Sequence, residues 1–232
     1  MSQSRPPLSA AMEDYLKAIY RLQSNGDSVT TNALAQALGI RAASVTGMIK
    51  KLAALELVVY APYQGVRLTE TGRLAALETV RHHRLLELFL TETLGFNWDE
   101  VHEEAEKLEH HISDEVEARL FELLGRPTHD PHGDPIPTLS GDLPQLELTP
   151  LLALRRGERG VVARVRTQDA DALRELSELG LTLHTLLRRA HDDAVELTLL
   201  VGSHERRIRL PKAVARHVEV IFVRDDGDDP RG

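Results

Sequence analysis

The sequence predicts a mainly α protein with β structure, in three parts: a winged helix-turn-helix, a helical middle and a small β-barrel. Three observations predict it. Over residues 9–69, apolar residues recur at helical spacing in three short stretches, and a strand–turn–strand follows. Over 73–124 the apolar spacing stays helical in longer runs. After a connector at 125–150, which holds six of the eleven prolines, short β-type runs take over to residue 223. The expected boundaries are 1–73, 74–140 and 141–226.

In the first part, residues 9–24 form an amphipathic helix with Ser9 as N-cap. Its apolar side is Met12, Tyr15, Leu16, Ile19, Tyr20 and Leu22. Asn25-Gly26-Asp27 is a turn. A short helix follows Thr30-Thr31-Asn32 and ends at Gly39. The next helix, Arg41 to Glu56, has apolar positions Val45, Met48, Ile49, Leu52 and Leu55. Residues 57–60 and 66–69 form the hairpin. In this arrangement the last helix enters the major groove of DNA by its N-terminus. Arg41 can reach a guanine edge or a phosphate, and Ala42 and Ala43 fit thymine methyls. Ser44 and Thr46 suit phosphate oxygens, and Lys50 and Lys51 suit the backbone charge. Gln64 and Arg67 of the hairpin face a neighbouring phosphate.

A helix over residues 73–94 then leads to Gly95-Phe96-Asn97, and a single helix is expected over Val101–Leu124. Two long apolar faces exceed what the small head covers, so a homodimer is expected, and its two-fold axis matches a palindromic site. His129 and His132, in the connector, read as ordinary loop residues. Beyond the connector, strands at 161–165, 182–187, 194–201, 206–210 and 218–223, with one helix at 170–180, describe a five-stranded barrel. The tail, 225–232, is acidic and reads as disordered.

Charge is spread unevenly. The formal net charge is −8, with +3 on residues 1–73, −10 on 74–140 and −1 on the rest. The head can approach phosphates, and the middle attracts cations. There is no cysteine, which excludes disulfides and thiolate metal sites. No apolar run spans a bilayer and the start has no secretory h-region, so a cytoplasmic protein without a membrane partner is expected.

The chemistry concentrates in the middle. His102, Glu106, Glu109 and His110 fall at i, i+4, i+7 and i+8, along one stripe of the expected helix. His83 and Glu87 form an i, i+4 pair one helix earlier. Imidazoles and carboxylates without thiols make a ligand set for a first-row divalent metal.

Taken together, MEDYLKAIY, the winged helix, VRHHRLLE, VHEEAEKLEH, SDEVEARL and HGDPIP resemble the metal-dependent regulators of the diphtheria toxin repressor and manganese transport regulator family, over nearly the whole chain. The resemblance implies a winged helix, a helical metal-binding and dimerisation domain, and an SH3-like barrel of the FeoA type. It also implies a divalent ion acting as corepressor. By position, the primary site comprises Asp14, Glu106, Glu109 and His110, and the ancillary site His83, Glu87 and His102. Iron-type members carry methionine in place of Asp14 and cysteine in place of Glu106. The harder oxygen donors here favour Mn²⁺, with Fe²⁺ second. Short manganese regulators carry a glutamate where this chain has Lys17, so separated sites are expected rather than a paired one. Gln168, Asp169 and Asp171 are the barrel's candidate ligands for the ancillary ion. The function implied is a manganese- or iron-dependent repressor of metal-uptake genes and not an enzyme. A winged-helix regulator of an organic ligand, with a structural acidic cluster, is the alternative.

Overall fold

A computed structural model describes residues 8–23, 27–61 and 64–223. Asn25 and Gly26 of the expected turn, Pro62 and Tyr63 of the hairpin, and the acidic tail lie outside the described residues. The chain forms two compact units. One comprises the described residues up to His83 with Glu106–Arg119 and Pro137–Leu143. The other comprises Arg84–Ala105, Leu120–Ile136 and the described residues from Pro144 onward.

The first unit begins with helices α1 (Ala10–Leu22), α2 (Thr31–Ala37) and α3 (Ala42–Ala54), then the antiparallel hairpin β1 (Val58–Ala61) and β2 (Gly65–Leu68). This is the expected winged helix-turn-helix. The residues at helical spacing form its core, joined by Val66 of the hairpin: Leu16, Ile19, Leu34, Val45, Ile49, Leu52 and Val66 are fully buried. Thr30 caps α2 by accepting from the Ala33 N–H at 3.1 Å. Ser9 stands at the N-cap of α1 but makes no side-chain cap, and its carbonyl accepts from Met12 N instead.

Helix α4 (Glu70–Glu92) starts earlier than expected, because Thr69 is its cap: the Thr69 hydroxyl accepts from Gly72 N at 3.0 Å. The single helix expected over 101–124 is two helices, α5 (Val101–Leu108) and α6 (Asp114–Leu123). Ser113 followed by Asp114 and Glu115 supplies an N-cap and an acidic first turn, which begin a new helix there. Glu109 and His110 therefore sit in the intervening turn.

In the second unit, β3 (Thr149–Pro150), a 3₁₀ turn, β4 (Arg159–Val165), α7 (Ala170–Glu178), β5 (Leu186–Asp192), β6 (Glu196–Val201), β7 (Arg206–Pro211), the one-turn α8 (Lys212–Ala215) and β8 (Val218–Val223) form an antiparallel sheet domain. The sheet order is β3-β8-β4-β5-β6-β7. It has six strands, one more than expected, because Thr149–Pro150 pairs with β8. The strand expected at 182–187 begins only at Leu186. His184 has φ +65°, in the left-handed region, and turns the chain just before it. Alternating burial along β4 and β6 packs Val162, Val165, Leu197 and Leu199 against Leu173 and Leu176 of α7.

Candidate metal centre and nucleic-acid interface

The first unit gathers carboxylates and imidazoles between α1 and the turn after α5. Asp14, Glu109 and His110 bring donor atoms within 4.8 Å of one another. His110 Nε2 lies 2.9 Å from Asp14 Oδ1 and 3.4 Å from Glu109 Oε1. Its other nitrogen, Nδ1, donates to Glu13 Oε2 at 2.6 Å. With the hydrogen on Nδ1, Nε2 is left to ligate, and the carboxylate orients the ring. Glu13 was not among the expected site residues. On α1 it neighbours Asp14 in sequence, and only the fold shows that both reach one imidazole.

Glu109 is the most enclosed member, at 1% exposure. Lys17 Nζ donates to its Oε1 at 2.5 Å, and His83 Nδ1 donates to its Oε2 at 2.5 Å. Burial pushes the Glu109 carboxyl up, but His83 and Lys17 outweigh it and hold it below the usual carboxylate range. Glu106, expected as a fourth ligand, stands half-exposed with Oε1 3.4 Å from Lys17 Nζ, and shares a cleft of about 430 Å³ with Asp14. The lysine that departs from the short-regulator pattern is thus inside the site.

A buried ion-paired group lies beside it and was not anticipated. Arg81 Nε donates to Glu117 Oε1 at 2.5 Å, and His82 Nε2 donates to Glu117 Oε2 at 3.1 Å. Arg81 also donates to the Pro137 carbonyl at 2.8 Å, and His82 Nδ1 lies 3.2 Å from the Glu109 carbonyl. Burial pushes the Glu117 carboxyl up, yet His82 and Arg81 hold it below the usual range.

In the second unit, Glu87 on α4 pairs with His102 on α5, Oε1 to Nδ1 at 3.2 Å. His83 stands one helical turn before Glu87 on α4. The reading of His132 as an ordinary loop residue is corrected: it is fully buried. Its ring stacks on Trp98 at 5.7 Å between centroids, and its Nε2 is 2.8 Å from the Trp98 carbonyl. Asp130 turns this loop by accepting from the N–H groups of His132 and Asp134 at 2.8 and 2.9 Å. Gly133 passes so close to β4 that a Cβ would stand 2.0 Å from the Ala163 carbonyl oxygen. Burial, followed by Glu87, pushes the Asp130 carboxyl up to about 7. Burial pulls His132 down, but Glu87 and Asp130 outweigh it and raise it to about 9. His129, by contrast, is pulled below its ordinary value, chiefly by burial.

The three barrel candidates are exposed around the start of α7. Asp169 caps α7 by accepting from Ala172 N at 2.9 Å, Asp171 pairs with Arg174 at 2.9 Å, and Gln168 is exposed. Among the described residues, the clusters of metal-capable imidazoles and carboxylates include neither Asp169 nor Asp171.

The expected DNA-contacting residues lie on α3 and the hairpin. Arg41, at the N-cap of α3, is exposed with Ala42, Ala43 and Ser44, and Thr46 is half-buried one turn on. Lys50, Lys51, Gln64 and Arg67 are exposed. An uncapped, exposed helix N-terminus with small and basic residues fits a phosphate and base-edge surface.

Comparison with known proteins agrees along the chain. Residues 7–66 match the family "Iron dependent repressor, N-terminal DNA binding domain". Residues 69–138 match "Iron dependent repressor, metal binding and dimerisation domain", and 149–221 match the FeoA domain. The chain is 31% identical to the iron-dependent repressor IdeR of Mycobacterium bovis over 220 residues, 90% of this chain and 95% of that protein. It is 37% identical to the diphtheria toxin repressor of Corynebacterium diphtheriae over 127 residues, 55% of this chain and 56% of that protein. A solved manganese-dependent transcriptional repressor in complex with manganese superposes with TM-score 0.84 at 40% identity, covering 91% of this chain and 100% of that one. ScaR with bound Zn²⁺ superposes at 0.72 and 35% identity, covering 91% and 99%.

Proposed function

Because the chain belongs to the iron-dependent repressor family, we propose that it is a Mn²⁺-responsive repressor whose primary ion is held by Asp14, Glu109 and His110. The chain is a metal-dependent, DNA-binding transcriptional regulator. Its family's members dimerise, and among the described residues no helix is long and apolar enough to cross a membrane. The choice of metal and the assignment of ligands are our reading. The observation that carries it is the convergence of three donors from α1 and the α5–α6 turn within 4.8 Å, with Glu13 orienting the imidazole.

Two carboxylates and one imidazole fit Mn²⁺ or Fe²⁺ without a soft donor. The relative solved with manganese supports Mn²⁺ first. Glu106 lines the same cleft and serves as a further carboxylate once Lys17 yields. His83, Glu87 and His102 are the proposed ancillary ligands. We keep the division at 1–73, 74–140 and 141–226, with Arg41, Ala42, Ala43, Ser44, Thr46, Lys50, Lys51, Gln64 and Arg67 facing a palindromic operator.

In this reading Asp14 belongs to the first helix of the DNA-binding head, while Glu109 and His110 belong to the turn after α5. A bound ion restrains α1 against that turn and so selects a head position. It acts only through its differential affinity for that state. Ligation needs ionised carboxylates and a neutral imidazole, so acid weakens the response. The test uses a duplex selected from a random library by Mn²⁺-loaded protein. Binding is measured at fixed salt with Mn²⁺, Fe²⁺, Co²⁺, Zn²⁺ or no metal. Mn²⁺ should give the strongest stimulation, and Asp14→Ala combined with His110→Ala should remove it. A double variant that responds normally would refute the assignment.

A further inference from the structure

Two buried groups in the second unit, Asp130 and His132, have no role in the function above, and both stand beside Glu87. The two oxygens of Glu87 serve different neighbours. Oε1 faces His102, and Oε2 lies 3.8 Å from His132 Nδ1. Asp130 joins Glu87 and His132 in a triad whose donor atoms all lie within 4.8 Å of one another. Glu87, Asp130 and His132 are 1%, 4% and 0% exposed, so water does not screen them.

The His132 ring shows what the triad lacks. Its Nε2 faces the Trp98 carbonyl oxygen, which can only accept, so Nε2 carries a hydrogen. When Nδ1 is deprotonated its lone pair aims at Glu87, and Nδ1 has no hydrogen-bond partner within reach. A lone pair facing buried carboxylates is repulsive unless a positive species stands between them. That species is a proton or a metal ion. The gap of 3.8 Å is too long for a hydrogen bond. It suits two donors each about 2.0–2.2 Å from one ion. Arg84, with Nε 3.5 Å from Asp130 Oδ2, offsets part of the negative charge, and Asp134 adds to it.

We propose that Glu87, Asp130 and His132 hold a further divalent cation of the Mn²⁺ or Fe²⁺ class, sharing Glu87 with the ancillary set. It would pin the loop around Gly133 to α4. That loop is already joined to β4, since Val165 N donates to the His132 carbonyl at 2.8 Å. Metal loading would therefore order the loop that leads to the barrel. The proposal rests on the ancillary reading only through Glu87, and is independent of the Asp14 site.

The test uses the full chain and Mn²⁺ alone. Crystals soaked in Mn²⁺ should give an anomalous peak among Glu87, Asp130 and His132. Metal analysis after equilibrium dialysis should lose one ion per chain in Asp130→Asn. That variant keeps the oxygen that accepts the two backbone N–H groups and removes the charge. Asp14→Ala should lose a different ion. A peak at Asp14 with none at His132, and unchanged stoichiometry in Asp130→Asn, would show that a proton fills the gap and overturn the proposal. A peak at His132 with none at Asp14 would support it while refuting the primary-site reading. Should Asp130→Asn fail to fold, the anomalous map of the unaltered chain decides alone.

Discussion

Replacing Lys17 with methionine tests how the primary site is balanced. The lysine is 4% exposed, and its Nζ stands 2.5 Å from Glu109 Oε1 and 3.4 Å from Glu106 Oε1. In the metal-free chain its ammonium neutralises a buried carboxylate. An ion ligated by Glu109 shares that carboxylate with a like charge. Two unit charges 4 Å apart are worth about 4 kcal/mol at an effective dielectric of about 20. The four-carbon stem lets the ammonium swing out into the open cleft that it lines, which reduces the penalty. A residual coupling of about 1–3 kcal/mol corresponds to about 5- to 150-fold in affinity. Lys17→Met should therefore bind Mn²⁺ more tightly by about that factor. The same change should weaken the metal-free fold. Stripping one partner from a buried pair costs about 3–5 kcal/mol. His83, still 2.5 Å from Glu109, keeps the loss to the lower end of that range or below it. Calorimetric titration with Mn²⁺ measures the first effect, and urea unfolding with and without Mn²⁺ measures the second. Mn²⁺ affinity no tighter than in the unaltered chain, with an unshifted metal-free midpoint, would refute the reasoning.

Glu13→Gln removes the carboxylate that orients His110, and Mn²⁺ affinity should fall about 10- to 100-fold with the unfolding midpoint of the metal-free chain little changed. Equal affinity in the same titration would exclude the orienting role. Glu117→Ala strands Arg81 and His82 in a buried setting and should cost about 3–5 kcal/mol by urea unfolding; a loss under about 1 kcal/mol would count against it. Glu117 is held below the ordinary carboxylate range, so its contribution is complete above the unfolded value of about 4.3 and is lost as pH falls through the lower folded value. The acid limb of stability should be shallower in Glu117→Gln than in the unaltered chain. Arg41→Ala should weaken binding to the selected duplex by about 1–3 kcal/mol and relax its sequence preference, whereas Lys50→Ala should lower the salt slope by about one. Titrating both at several salt concentrations separates base reading from backbone contact.

The sequence by itself determined the winged helix-turn-helix and the barrel class, and it named the donor types of the proposed ligands. Each is a local property. Leu16, Ile19, Val45, Ile49 and Leu52 recur at 3.6-residue spacing, and such spacing buries one face wherever the helix lies. The residue types at 14, 83, 87, 102, 109 and 110 name oxygen and nitrogen donors without any coordinates. The break after Leu108 was also legible, in Ser113 followed by Asp114 and Glu115, but helical periodicity runs across it and hides it. What only the tertiary structure decided is which distant groups meet. Glu13 and His110 are 97 positions apart, and Lys17 and Glu109 are 92 apart. No local pattern encodes those pairs, because an ammonium on a helix and a carboxylate on a distant turn find each other only when the core packs. Nor could composition tell that His132 is wholly enclosed, since its burial depends on Trp98 stacking over it and on Gly133 letting the loop lie against β4. Periodicity reports the face a segment hides, whereas charge pairing reports what that face is hidden against, and that is settled by packing.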